Sequence, residues 1–274
     1  MPISKFQSDI LRLLAGQRSP DSYIAGGVAI NRQGPRFSEH VDIFHDSTER
    51  QESAVKADEA ALAAAGYTIT WPPSQRTGKH QATIEKDGQQ MQLEWVTDSA
   101  FRFFPTQPDE LFGYVLHPVD LATNKASAAA DRRVPRDIVD LVTIHENILP
   151  LGAVVAAAVG KFPGTTPEEM LAEITRHSRF TAEEFQVLAT EQPIDAHALH
   201  QRIRSMIEDA EGFIARLPSD AVGGVFLDGD RPVQPDVNAL DRYQRNPGAL
   251  RGVWPTSPDI THAMVEHYGK GKPC

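Results

Sequence analysis

The residues best suited to chemistry lie in Tyr23-Ile-Ala-Gly-Gly-Val-Ala-Ile30 and Arg36-Phe-Ser-Glu-His-Val-Asp-Ile-Phe44. Gly26-Gly27, between an apolar strand and a helix, offers backbone N–H groups of the kind that cradle phosphate, although such a pair is also an ordinary turn. Twelve residues separate Gly27 from His40. His40 and Asp42 are spaced i, i+2, which on a strand puts both on one face. Glu94, between Leu93 and Trp95, belongs to another strand and points either to solvent or into a cleft. His40, Asp42, His45 and Asp46 could alternatively serve a Zn²⁺- or Fe²⁺-dependent phosphohydrolase, although alternation aims His45 away from His40 and Asp42.

A second charged group follows in Asp120-Leu-Ala-Thr-Asn-Lys125, Arg132, Arg133 and Arg136-Asp137-Ile-Val-Asp140-Leu141. Taken alone, Lys125 reads as a solvated lysine, and the arginines as partners of Asp131, Asp137 and Asp140 at a helix end. Ser38 suits either a phosphate contact or a turn cap. The two groups in this order resemble the AbiEii/AbiGii nucleotidyltransferase toxins, a family on the nucleotidyltransferase, DNA polymerase beta-like core. Gly26, Gly27, Asp42 and Glu94 match that pattern, as does the block from Lys125 to Asp140. His40 stands where the family has Asp. The match covers roughly residues 1–150, and the remainder carries no motif.

The resemblance implies a metal-dependent transfer of NMP from NTP to an RNA end such as that of tRNA, by a toxin with a cognate antitoxin or a phage-defence role. Asp42 and Glu94, with His40, would hold Mg²⁺ or Mn²⁺. Lys125 would sit on the triphosphate, and Arg132, Arg133 or Arg136 would clamp phosphate or the RNA. Gly26, Gly27 and Ser38 would line the nucleotide site. Asp137 or Asp140 would orient Lys125 or act near the acceptor. With His40 the ligand set falls from three carboxylates to two, which leaves three readings. The enzyme uses Mn²⁺ or a single metal, His40 has become a base, or catalysis is lost while nucleotide or partner binding remains.

These groups need a scaffold, and the hydrophobic pattern supplies one. Ser4 caps a helix with Phe6, Ile10, Leu13 and Leu14 at helical spacing. Strands are expected at 22–25, 41–45 and 68–71, with helices at 28–32 and 49–65. A hairpin turns at Asp87-Gly88 between 81–85 and 90–96. After Pro118 the pattern becomes helical, at 119–131, 136–148, 151–159, 167–178, 182–190 and 195–217. Leu199, Ile203, Ile207, Ala210, Ile214 and Leu217 form an apolar stripe on the last of these. The expected fold is α/β (α+β), a nucleotidyltransferase-like mixed sheet with flanking helices. A core at 1–118 is followed by a helical region at 119–220 and an irregular Pro/Gly-rich tail at 221–274, with one short strand at 224–227.

The 274 residues carry 27 Lys+Arg against 37 Asp+Glu, a net charge of −10, and 41% are hydrophobic. That composition excludes an acidic disordered chain and argues against coating nucleic acid by bulk charge, so an anionic substrate would need local cations or a bridging metal. The single cysteine, Cys274, allows neither an intramolecular disulfide nor a Cys-based zinc site. The first residues lack the apolar run of a signal peptide, and 149–159 is too short to span a membrane. The expectation is a cytoplasmic protein with no membrane partner.

Overall fold

The computed structural model describes residues 3–32 and 34–255. Helix α1 (Lys5–Ala15) opens with a capping box between Ser4 and Gln7. Strand β1 (Ser22–Ala25) runs straight into the short helix α2 (Gly26–Ile30), and β2 is His40–His45. Helix α3 (Thr48–Ala64) leads to β3 (Thr68–Thr70), and the hairpin β4 (Lys79–Lys86) and β5 (Gln89–Thr97) follows. Its turn has Asp87 and Gly88 both at positive φ, the geometry for which Asp-Gly is suited. Three short strands, β6 (Phe101–Arg102), β7 (Gln107–Asp109) and β8 (Gly113–Val115), have no hydrophobic period long enough to betray them in the sequence.

Seven strands form one mixed sheet in the order β3-β4-β5-β2-β1-β8-β7. Strand β2 is antiparallel to β1 and parallel to β5, in a register that sets Asp42 beside Glu94 and Ala25 beside Asp42. Two hydrophobic clusters flank the sheet. Ile24, Val41, Ile43, Leu93 and Trp95 join the buried residues of α1, with Leu62 of α3. Tyr23, Ala25 and the partly buried Phe44 pack instead with the helical half. Alternation along each strand produces this division.

The helical half comprises α4 (Pro118–Asp131), α5 (Pro135–Asn147), α6 (Leu151–Lys161), α7 (Pro167–His177), α8 (Ala182–Gln186) and α9 (Ala196–Ile214). The α9 stripe is buried except Leu217, which is partly buried beyond the helix end. Helix α8 ends before the expected 190, because residues beyond it lie extended along the loop before β2. Phe37 N–H donates to the Ala189 carbonyl, and Glu191 N–H to that of Pro35. No single helix among the described residues is long and apolar enough to cross a membrane.

The expectation of an irregular tail needs correction. Strands β9 (Val225–Asp228), β10 (Arg231–Val233) and β11 (Gln244–Asn246) form an antiparallel sheet, and β12 (Ala249–Leu250) pairs with β6. Three-residue strands rich in polar residues show too little period to be read in advance. The expectations that fall on 256–274, Cys274 included, lie outside the described residues.

His117 caps α4, its Nδ1 accepting from Val119 N–H at 3.2 Å, and it packs against Phe104 with ring centroids 4.1 Å apart. Burial alone pushes its pKa from 6.5 down to about 3. The unfolded chain therefore takes a proton that the folded chain refuses, so the stability this neutral ring contributes is present above pH 6.5 and is lost progressively toward pH 3. His117→Asn keeps a capping acceptor. We expect urea unfolding between pH 6 and 4 to show an acid loss shallower than wild type by about 1 kcal/mol per pH unit.

Candidate active site

The sheet register builds the centre of the site. Residues opposed in parallel strands share a face, so Asp42 of β2 and Glu94 of β5 stand side by side, both buried. His40, two residues before Asp42, joins them, with its Nε2 3.4 Å from Asp42 Oδ2. One ligand atom from each of His40, Asp42 and Glu94 lies within 4.8 Å of the others. A carboxylate pair with one imidazole is a mixed oxygen–nitrogen set. It fits a divalent ion, and suits Mn²⁺ better than the oxygen-seeking Mg²⁺.

Gly26 and Gly27 open α2 directly beside Asp42. Gly26 has φ +68°, and a Cβ there would overlap the Asp42 carboxylate. A Cβ on Gly27 would come within 2.6 Å of Arg36 Nη2 and 3.2 Å of Ser38 Oγ. Glycine is thus required at Gly26 by backbone conformation and space together. Ser38 Oγ donates to the His40 carbonyl at 2.8 Å and so holds the entry to β2.

Behind this wall lies a buried ionic network. Arg36 donates to both Asp140 oxygens, from Nε at 2.7 Å and Nη2 at 2.6 Å. Asn31 Nδ2 donates to Asp140 at 2.7 Å. Lys125 Nζ lies 2.8 Å from Asp137 and 2.9 Å from Asp140. Arg132 bonds Asp137 through Nε at 2.8 Å. Burial opposes the charge on Lys125, but the neighbouring Asp140 and Asp137 outweigh it and raise its pKa. Both aspartates stay below the usual carboxylate range because the cations overcome their burial, with Lys125 the leading counter-charge. Asp42 is likewise held low. Its burial is outweighed by the hydrogen bond and charge of His40, then by Glu94 and Lys125. The pKa of His40 is raised, chiefly by its hydrogen bond to Asp42.

These groups face one cleft of about 330 Å³, lined by Gly26, Gly27, Arg36, Ser38, His40, Asp42, Lys79, Glu94, Asn124, Lys125, Arg132 and Arg136. Arg133 is not brought there. It bonds Glu184 and the Arg179 carbonyl and lies over the Phe180 ring, 4.1 Å from its centroid. The alternative metal set also comes apart. His45 points to the opposite side of β2, bonded to the Val96 carbonyl at 3.3 Å, with its pKa pushed down to about 3 mainly by burial. Asp46 pairs with Arg102 at 2.8 Å. Lys125, a surface residue by its type, is buried. Sequence reasoning missed Asn31 and Lys79 and passed over Arg36, whose place within Arg-Phe-Ser was the available signal.

The comparisons with known proteins bear on this geometry. Residues 12–220 match the family model described as nucleotidyl transferase AbiEii toxin, type IV toxin–antitoxin system. The chain belongs to the AbiEii nucleotidyltransferase toxin family. It is therefore a nucleotidyltransferase of a toxin–antitoxin family, and the resemblance extends past residue 150 into α9. Among solved structures it resembles MenT4, a nucleotidyltransferase toxin of Mycobacterium tuberculosis H37Rv. The TM-score is 0.55 at 17% identity, over 78% of this chain and 83% of that one, a likeness of fold. A second structure, described as a nucleotidyltransferase from H. pylori, has a TM-score of 0.46 at 14% identity over 77% of this chain and 93% of that one. No curated protein matches the sequence.

Asp140 neutralises Arg36 and Lys125 from behind the cleft, so its removal leaves two buried cations short of a partner. We expect Asp140→Ala to cost about 3–5 kcal/mol in chemical denaturation. Arg133→Ala should leave nucleotide affinity unchanged in a binding titration, because Arg133 stands outside the cleft.

Proposed function

We propose that the protein transfers NMP from NTP to the end of an RNA, with tRNA as the acceptor. The observation that carries this reading is one cleft with two buried carboxylates on its sheet wall and Lys125, Arg132 and Arg136 on its helical wall. Acids and cations so opposed suit a triphosphate and its divalent metal. The metal, when held by Asp42, Glu94 and His40, supplies charge neutralisation at the reacting phosphate. Lys125, fixed by Asp137 and Asp140, has a third ammonium proton for a phosphate oxygen. Arg132 and Arg136 hold the outer phosphates, and Gly26 and Gly27 allow the nucleotide to approach the sheet closely. The acceptor hydroxyl oxygen bonds to the α-phosphorus as the α–β bridging bond breaks. Pyrophosphate leaves, and the hydroxyl proton passes to water.

The family also supports an antitoxin protein as partner and the cytoplasm as the site of action. His40 favours one further reading, a relative that binds nucleotide without turnover.

Purified protein incubated with tRNA, each labelled NTP in turn and Mg²⁺ or Mn²⁺ tests the activity. We expect label on tRNA, with Mn²⁺ at least as effective as Mg²⁺, and a loss of about a hundredfold or more in Asp42→Ala. No label with any NTP, in wild type and His40→Asp alike, would refute the proposal. Label gained only in His40→Asp would establish the non-catalytic reading.

A further inference from the structure

We propose that Lys79 is a built-in counter-cation for the Asp42–Glu94 pair, so that the cleft takes a single divalent ion with the nucleotide where a site of three acids would take two. This rests on the reading of the cleft as a metal and nucleotide site. Lys79 begins β4, and its Nζ lies 2.6 Å from Glu94 Oε2. Its backbone is anchored through its neighbour, since the Gly78 carbonyl accepts from Gln51 Nε2 at 3.1 Å and from Thr97 N–H at 2.9 Å. The side chain is a third exposed, so the ammonium sits on a long stem over a fixed root.

Its partner sets it apart from the other cations of the cleft. Arg36, Lys125 and Arg132 are held by Asp137 and Asp140 behind the wall, and Arg136 by the exposed Glu39 at 3.3 Å. Among the described residues that line the cleft, Lys79 is the cation whose carboxylate partner belongs to the candidate metal set. The charge facing an incoming metal is therefore two carboxylates less one ammonium, with a neutral or protonated His40 beside them. With His40 in place of a third acid and an ammonium added, the protein offers a second divalent ion about two unit charges fewer. With one ion held by Asp42, His40 and the other oxygen of Glu94, the Lys79 ammonium would keep its place on Glu94 Oε2. It does there the electrostatic work of the second ion, as a point charge with three rotatable donors.

Mn²⁺ binding reads this out without turnover. Wild type, Lys79→Gln and Lys79→Arg are titrated with Mn²⁺ by calorimetry and by electron paramagnetic resonance of free Mn²⁺, alone and with a non-hydrolysable NTP analogue. Thermal melts confirm that each variant is folded. We expect wild type and Lys79→Arg to bind one ion, and Lys79→Gln to bind a second and to hold the first about tenfold more tightly. Two ions in wild type would overturn the proposal. So would a Lys79→Gln profile equal to wild type, which leaves the nucleotidyltransfer reading standing. Absence of Mn²⁺ binding in all three proteins would overturn both.

Discussion

A single buried carboxylate, that of Asp140 on α5, gathers Asn31 and Arg36 from the loop between α2 and β2 and Lys125 from α4. The carboxylate thereby joins the sheet, which carries the acids, to the helical half, which carries Lys125, Arg132 and Arg136. Asp137 completes the set by pairing with Lys125 and Arg132. Three cations against two acids leave a positive surplus, and it faces the cleft. The pairing of residues 35–37 with 189–191 braces the same loop from the far end of the helical half.

Such a network contributes little to net stability, because the desolvation of each charge offsets most of the attraction. Its value is geometric. Lys125 has a short list of low-energy positions, since the two acids use two of its three donors, and bidentate pairing fixes the Arg36 fork. The sheet wall is built on a different principle, backbone register. Asp42 and Glu94 are adjacent because β2 and β5 run parallel in one specific register, and a shift of a single residue would send Glu94 to the opposite face. The cleft therefore depends on both, with the acids set by hydrogen bonding of the ladder and the cations set by buried ion pairs.

The net charge of −10 bears on this differently once the cleft is known. Its lining includes five Arg and Lys against two acids, and with the paired Asp137, Asp140 and Glu39 the charges balance, so the cleft is locally neutral in an acidic chain. The acidity of the whole chain therefore bears on bulk association with nucleic acid and not on the charge met inside the cleft.

The sequence by itself determined the parts with a local signature. The Gly26-Gly27 break after a strand, the i, i+2 spacing of His40 and Asp42, the Asp-Gly hairpin and the amphipathic α9 each follow from backbone geometry or a short period, and each is present, with the helix beginning at Gly26 itself instead of the expected 28. It determined also that His45 could not join His40 on one strand face, since alternation forbids it, whereas Asp46 lies past the end of β2 and is taken up by Arg102. Tertiary structure alone decided what the charged block would do. Lys125, Arg132 and Arg133 are near neighbours in sequence, yet one is buried between two aspartates, one reaches the same aspartate from the rim, and one turns away to Glu184. Nothing in their types distinguishes them, because each takes its place from the acid that folding brings to it, Asp137 for the first two and Glu184 for the third. The pairing of Lys79 with Glu94 lies within the Asp-Gly hairpin and was hidden because β4 begins at Lys79, two residues before the expected 81. The tail sheet depends on which strands meet across the fold, a long-range choice that short polar segments do not encode.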